Sequence, residues 1–244
     1  MKSCRILCAL TLLCLLLAAC GNEATTADGE TVPVTTESEK DARVRLCVKT
    51  AREQTFRYTD KDGNTVSTLY RTPALRFETA EAKAVNAEIT ERYEPLYDAA
   101  VEAAATYKNP DPQGIDYKGY VNDDVVSLVI TREGAGHDLS YDVYNYNKTT
   151  GTRMDSAAVL AYLNREYDEI LATLRDALQA DYTAKFSEEA FPDSYYDRLN
   201  YTLSEEALSN AQFFLNEDAE LFAICTEYAD VGDGEFQVLL SLAT

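Results

Sequence analysis

The sequence predicts an α+β fold, with a largely antiparallel β-sheet and helices packed on one face. Three observations support this. Alternating or continuous apolar runs, bounded by turn residues, recur along the chain without the regular strand–helix–strand order of a parallel sheet. Two long stretches instead carry apolar residues three and four apart, which marks amphipathic helices. Hydrophobic residues make up 46% of the 244 residues, enough for a sizeable core.

At the N-terminus, Lys2 and Arg5 form a short positive region. Ile6 to Ala19 is an apolar run too short to span a bilayer as a stable helix. It ends in Leu17-Ala18-Ala19-Cys20, with Gly21 next. Small residues before a cysteine suit a lipoprotein signal peptidase, and the Cys20 thiol is the group that accepts lipid. Residues 1–19 are thus expected to be a removable signal peptide and Cys20 the acylated first residue. Acyl chains such as palmitate contribute about 0.8 kcal/mol per buried methylene, and two or more hold a protein stably. The expected location is the outer face of the cytoplasmic membrane of a bacterium, of the Gram-positive kind.

Residues 20–42 contain no aromatic side chain and read as the lipidated cysteine with a flexible linker. Such a tether has an end-to-end distance on the order of 25 Å. The α+β domain is expected over residues 43–244, as one body or as two packed halves, 43–108 and 115–244.

Val44, Leu46 and Val48 alternate with polar residues, a half-buried strand pattern. TFRYTD-KDGN-TVSTLYRT reads as a hairpin, because Asp62-Gly63 supplies turn residues that tolerate positive φ. Thr79 is a suitable N-cap for a helix whose face is Val85, Ile89, Tyr93 and Leu96, and Pro95 should kink or interrupt it. Asn109 to Gly114 is a loop signal. Val125 to Ile130 reads as a central strand, and GHDLSYDVYNYN as a second that runs into a Thr-Thr-Gly bend. Asp155 caps a helix along Leu160, Leu163, Tyr167, Leu171, Leu174 and Leu178. Residues 181–216 are mixed and partly helical. The chain closes on a hairpin signal, with Phe236, Val238, Leu240 and Leu242 on one face.

Charge narrows the partners. Acidic residues number 42 against 22 basic ones, a formal net charge of −20. Such a surface repels nucleic acid, which is excluded as a partner, and favours cationic proteins. Of six cysteines, Cys4, Cys8 and Cys14 leave with the signal and Cys20 carries lipid. Cys47 and Cys225 remain, either as one disulfide in an oxidising exterior or as two buried thiols.

The chemistry on offer is sparse. His137 is the only histidine, so sites built from several histidines are excluded. No nucleophile elbow, phosphate loop or dinucleotide fingerprint is present. No catalytic residue, metal site or cofactor is therefore expected. Asp123-Asp124, Glu188-Glu189 and Glu205-Glu206 are conceivable glycosidase-type pairs, but in so acidic a chain they read first as solvated surface. Asp230 to Glu235 loosely resembles a calcium loop and reads better as a turn. The 17 tyrosines against 8 phenylalanines and no tryptophan suit a binding face. Within YDVYNYN, Tyr144 and Tyr146 share the face opposite Tyr141, and they are the possible ligand-facing pair.

The stretch SLVITREGAGHDLSYDVYNYNKTTGTRMDSAAVL resembles an extracytoplasmic domain family. That family occurs in the lysozyme-sensing ectodomain of a membrane anti-sigma factor (RsiV-like) and ahead of the catalytic domain in some peptidoglycan deacetylases (PdaC-like). LYRTPALRFETAEAKAVNAEI is similar to its companion segment, with Pro73 and Asn86 at two motif positions, and FFLNEDAELFAICTEYADVGDGEFQVLLSL to its closing strands. Asn147-Lys148 departs from the family's acidic residue before the bend, and Thr152-Arg153 from its lysine. The resemblance implies a non-catalytic binding domain whose partner is a cationic protein such as lysozyme, or peptidoglycan. The alternative is a carboxylate-dependent enzyme acting on peptidoglycan.

Overall fold

The structure, a computed structural model, describes residues 24–25, 31–32, 38–59, 62–106, 114–134, 139–229 and 234–242. The expected signal peptide, Cys20, most of the 109–114 loop, His137 and most of the 230–235 turn lie outside them. The chain divides into two units, Met1–Glu39 and Lys40–Thr244. In the first, β1 (Ala24–Thr25) pairs antiparallel with β2 (Thr31–Val32).

Residues 44–47 are not the strand that alternation suggested. Helix α1 spans Glu39–Cys47, and the strand β3 (Val48–Thr59) begins where it ends. Val44, Cys47 and Val48 fall three and four apart and pack together, while Leu46 points away and is 76% exposed. The predicted hairpin is present. β3 pairs with β4 (Thr65–Leu75) through a turn in which Gly63 has φ +86°.

Helix α2 spans Ala80–Thr106. The Thr79 hydroxyl accepts from Ala82 N at 3.1 Å, as an N-cap should. The helix continues through Pro95, with Val85, Ile89 and Tyr93 buried before it and Leu96, Tyr97 and Ala100 packed after it. Packing on both sides outweighs the one backbone bond that proline removes.

Four strands follow: β5 (Gly114–Asn122), β6 (Val125–Glu133), β7 (Leu139–Asn147) and β8 (Thr152–Met154). The predicted helix from Asp155 is two helices, α3 (Ser156–Tyr162) and α4 (Tyr167–Lys185). Asp155 caps the first through Ala158 N at 2.8 Å. Asn164, at φ +54°, ends it. Asn164 N donates to Ala161 O and Arg165 N to Leu160 O, both at 3.0 Å, a paired closure that stops a helix and turns the chain. Then come α5 (Pro192–Thr202), α6 (Glu205–Ser209), β9 (Gln212–Leu215), β10 (Leu221–Tyr228) and β11 (Glu235–Ser241).

The fold is α+β. One six-stranded sheet has the order β3-β4-β5-β6-β7-β8, and a three-stranded sheet has the order β11-β10-β9. All neighbours pair antiparallel except β4 and β5, whose parallel pairing joins the stretches before and after residue 114 in one sheet. Period two decides the packing. Val126, Leu128, Ile130, Tyr144 and Tyr146 meet Val85, Ile89 and Tyr93 of α2 on one face of the six-stranded sheet. Val129, Tyr141 and Val143, on its other face, meet Phe214 and Ile224 of the second sheet. That sheet's outer face, with Phe213, Ala223 and Cys225, packs on Leu160, Leu174 and Leu178. Each sheet thus carries helices on one face and meets the other sheet with its opposite face.

Candidate functional site

β8 pairs with β7 only at residues 145–147, so the outer edge of β7 is open from Leu139 to Tyr144. Unpaired backbone N–H groups at a buried edge need partners. The second sheet supplies them. Tyr141 N donates to Gln237 Oε1 at 2.5 Å, and Val143 N to Gln212 Oε1 at 3.2 Å. Each glutamine commits its carbonyl oxygen to the strand, and its NH2 group remains as the donor it can offer.

Between this edge, α2 and β8 lies a cleft of about 350 Å³. Glu88 and Arg92 of α2, Arg132 of β6, Asp142 and Tyr144 of β7 and Arg153 of β8 supply its chemistry. Two of the three arginines are committed. Arg92 Nη2 lies 2.7 Å from Asp142 Oδ1, and Arg153 Nη1 donates to Glu88 Oε2 at 2.5 Å. The Arg153 guanidinium also sits 5.5 Å from the centre of the Tyr144 ring. Asp142 is fully used, because the buried Tyr93 hydroxyl donates to its other oxygen. Burial, reinforced by that bond, pushes the Tyr93 phenol well above its ordinary range.

Arg132 and Tyr144 are different. Arg132 Nε and Tyr144 Oη are buried and have no hydrogen-bond partner among the described residues. Leaving such a group unmatched costs about 1–3 kcal/mol. Burial, and then the charges of Glu88 and Asp142, push the Tyr144 phenol up to about 12. It is therefore a hydroxyl donor at neutral pH. Arg132 also borders a second cavity of about 380 Å³, lined by Leu139, Thr226 and Phe236 among others.

The expectation that Tyr144 and Tyr146 together face a ligand from an exposed strand face is corrected: neither ring is a surface platform, and only Tyr144 lines the cleft. Tyr144 is 3% and Tyr146 1% exposed, beneath α2. Tyr146 stacks on Phe77 and shares a hydrogen bond with Thr79 at 2.8 Å. They share a face, as alternation required, but a helix covers it. The disulfide is corrected as well. Cys47 and Cys225 are free, buried thiols in different core clusters, one under α2 and one under α4. Burial raises both, Cys225 to about 12.

The carboxylate pairs have other settings. Asp123-Asp124 forms the β5–β6 turn, where Thr149 Oγ1 donates to Asp124 at 2.5 Å. Glu188, Glu189, Glu205 and Glu206 are exposed around α5. Asp193, Tyr196 and Asp197 project from that helix, opposite the buried Tyr195 and Leu199. Phe191, Tyr196 and Tyr201 are each about half exposed, which gives an acidic face with aromatic contact area. Among the described residues, no group of three or more His, Cys, Asp or Glu could hold a metal ion, and no helix is long and apolar enough to cross a membrane.

Sequence reading missed the arginines. One signal existed: Arg132 continues the core-facing alternation of Val126, Leu128 and Ile130. A charged residue in that register needs a special environment.

No family model matches the chain, and no curated protein does either. Among solved structures, the chain is similar to the crystal structure of a member of the duf3298 family from Bacteroides fragilis. Identity is 12%, the match covers 80% of this chain and 89% of that one, and the TM-score is 0.41.

Proposed function

We propose that this protein is a lipid-anchored, non-catalytic binding domain on the outer face of the cytoplasmic membrane, and that it docks a cationic protein of the lysozyme kind on the acidic face of α5. The observation that carries this reading is the company Tyr196 keeps. It and its neighbours Phe191 and Tyr201 are half exposed among Glu188, Glu189, Asp193, Asp197, Glu205 and Glu206. Exposed aromatic residues supply contact area at low entropic cost, and surrounding carboxylates steer a basic partner. The resemblance of residues 127–160 to lysozyme-sensing and deacetylase-associated domains points the same way, as does Cys20 behind its apolar run.

Two experiments test the reading. Calorimetry with a basic lysozyme, at low and physiological salt, should show binding that weakens with salt and with Asp193→Lys/Asp197→Lys. Absence of binding at either salt removes the docking claim. Cys20→Ala in the native host should move the protein from the membrane fraction to the soluble one. Release of glycan fragments from purified cell wall would instead support the carboxylate-enzyme reading.

A further inference from the structure

We infer that the cleft between α2 and the open edge of β7 binds a monoanionic carboxylate, seated between the Arg132 guanidinium and the Tyr144 hydroxyl. This site is distinct in residues and in charge from the acidic face of α5.

Charge balance is the first argument. The cleft holds three guanidinium groups and two carboxylates, and Arg92–Asp142 and Arg153–Glu88 neutralise one another. Arg132 has no ion-pair or hydrogen-bond partner for its side chain among the described residues. One positive charge is left over, in a chain whose formal net charge is −20. A surplus cation could have been paired anywhere on so acidic a surface. Here it is kept unpaired at the wall of a cavity, and a single negative charge closes the balance. A dianion would meet Glu88 and Asp142 with one charge in excess.

Donor count is the second. Both carboxylates in the cleft are occupied by arginines. What remains is donors: the Arg132 fork, the Tyr144 hydroxyl, and the NH2 groups of Gln212 and Gln237, whose oxygens are held by Val143 N and Tyr141 N. Ser140, directly across the β6–β7 ladder from Arg132, adds a hydroxyl. Tyr144 is 97% buried, and the charges acting on its hydroxyl are those of Glu88, Asp142, Arg92 and Arg153, which are the cleft's own. A planar carboxylate matches the arginine fork with two parallel bonds and accepts the remaining donors with its free lone pairs. The volume of about 350 Å³ suits a small acid or the C-terminal end of a short peptide with small side chains.

The test uses the whole protein, titrated calorimetrically with N-acetyl-dialanine as the free acid, with its C-terminal amide, with lactate and with inorganic phosphate. The free acid should bind and the amide should not. Lactate binding as well as the dipeptide assigns the site to small acids, and weaker lactate binding to peptide termini; either keeps the carboxylate assignment. Arg132→Gln should weaken binding about 10- to 100-fold, the loss typical of a charged hydrogen bond. Tyr144→Phe should weaken it about 3- to 10-fold without lowering the melting temperature, since the hydroxyl has no partner to lose in the free protein. Equal binding of acid and amide, no binding of any probe, or unchanged affinity in both variants overturns the proposal. Preference for phosphate overturns the carboxylate assignment. None of these outcomes bears on lysozyme docking at α5, so the two claims fail separately.

Discussion

The side chain of Asn86, in the second turn of α2, holds both backbone groups of Leu75 at the end of β4. Leu75 N donates to Asn86 Oδ1 at 2.7 Å, and Asn86 Nδ2 donates to Leu75 O at 3.0 Å. The amide thus stands in for a neighbouring strand where the ladder stops and the chain turns toward the helix. Asn86→Asp keeps the acceptor, loses the donor and sets a carboxylate against a carbonyl. We expect it to cost about 1–3 kcal/mol in urea unfolding. An unchanged midpoint would show that the clamp does not stabilise the fold.

Gly151 closes the Thr-Thr-Gly bend at φ +75°, and a Cβ there would sit 3.1 Å from Thr79 Cγ2, the methyl of the helix-capping residue. Gly63 has φ +86° with nothing within 4 Å of the same added atom. Both alanine variants bear the left-handed backbone cost of about 1–2 kcal/mol. Only Gly151→Ala also disturbs the cap of α2, so its melting temperature should fall further than that of Gly63→Ala. Equal losses would contradict the contact.

Glu227 is fully buried and accepts from Lys185 Nζ at 2.9 Å, a lysine it shares with the neighbouring Asp181. Burial, opposed by Lys185 and reinforced by the hydrogen bond and charge of Asp181, raises its carboxyl from an ordinary 4.5 to about 7. Between those values the folded protein holds a proton that the unfolded chain releases. Stability from this group is therefore full below pH 4.5 and falls as pH rises through about 7. The loss is on the order of 3 kcal/mol. Glu227→Gln should flatten the difference between urea midpoints at acid and neutral pH. A slope as steep as the parent's would place the proton elsewhere.

Cys47 and Cys225 should resist a thiol reagent in the native protein and both react once it is unfolded, with no reductant needed, because each is a protonated thiol in its own core cluster. Mass spectrometry after alkylation, with and without denaturant, reads this directly. A two-proton mass deficit that persists in denaturant would mean a bridge.

Much of the architecture could be read from the chain because local signals agreed with burial. Thr79 and Asp155 cap the helices they precede, Gly63 turns the first hairpin, and Val238, Leu240 and Leu242 bury one side of the last strand. Over residues 44–48 two periods fit the same residues, and the helical one holds up to Cys47. Val44 and Val48 serve either a strand or a helix, and Cys47 between them decides for the helix. The break after Tyr162 is hidden in the sequence because leucine spacing runs on across Asn164, the residue that ends α3. β5 carries no clear strand signal because Gly119 and Lys118 interrupt its pattern, yet Gly119 lets the strand pass close to α1, where an added Cβ would lie 3.0 Å from Val44 Cγ1. The cleft was out of reach. Arg92, Arg132 and Arg153 are far apart in the chain, and only the pairing of β6, β7 and β8 under α2 gathers them.

The glutamine contacts along β7 have a consequence for how copies of this protein behave at high local density. An uncovered strand edge is a template on which another polypeptide can add itself, and from there growth into fibrous aggregates follows. Gln237 and Gln212 already occupy the N–H groups of Tyr141 and Val143 that an incoming strand would need. Two side chains from a different sheet thus act as a stopper, keeping molecules that share one surface from knitting together.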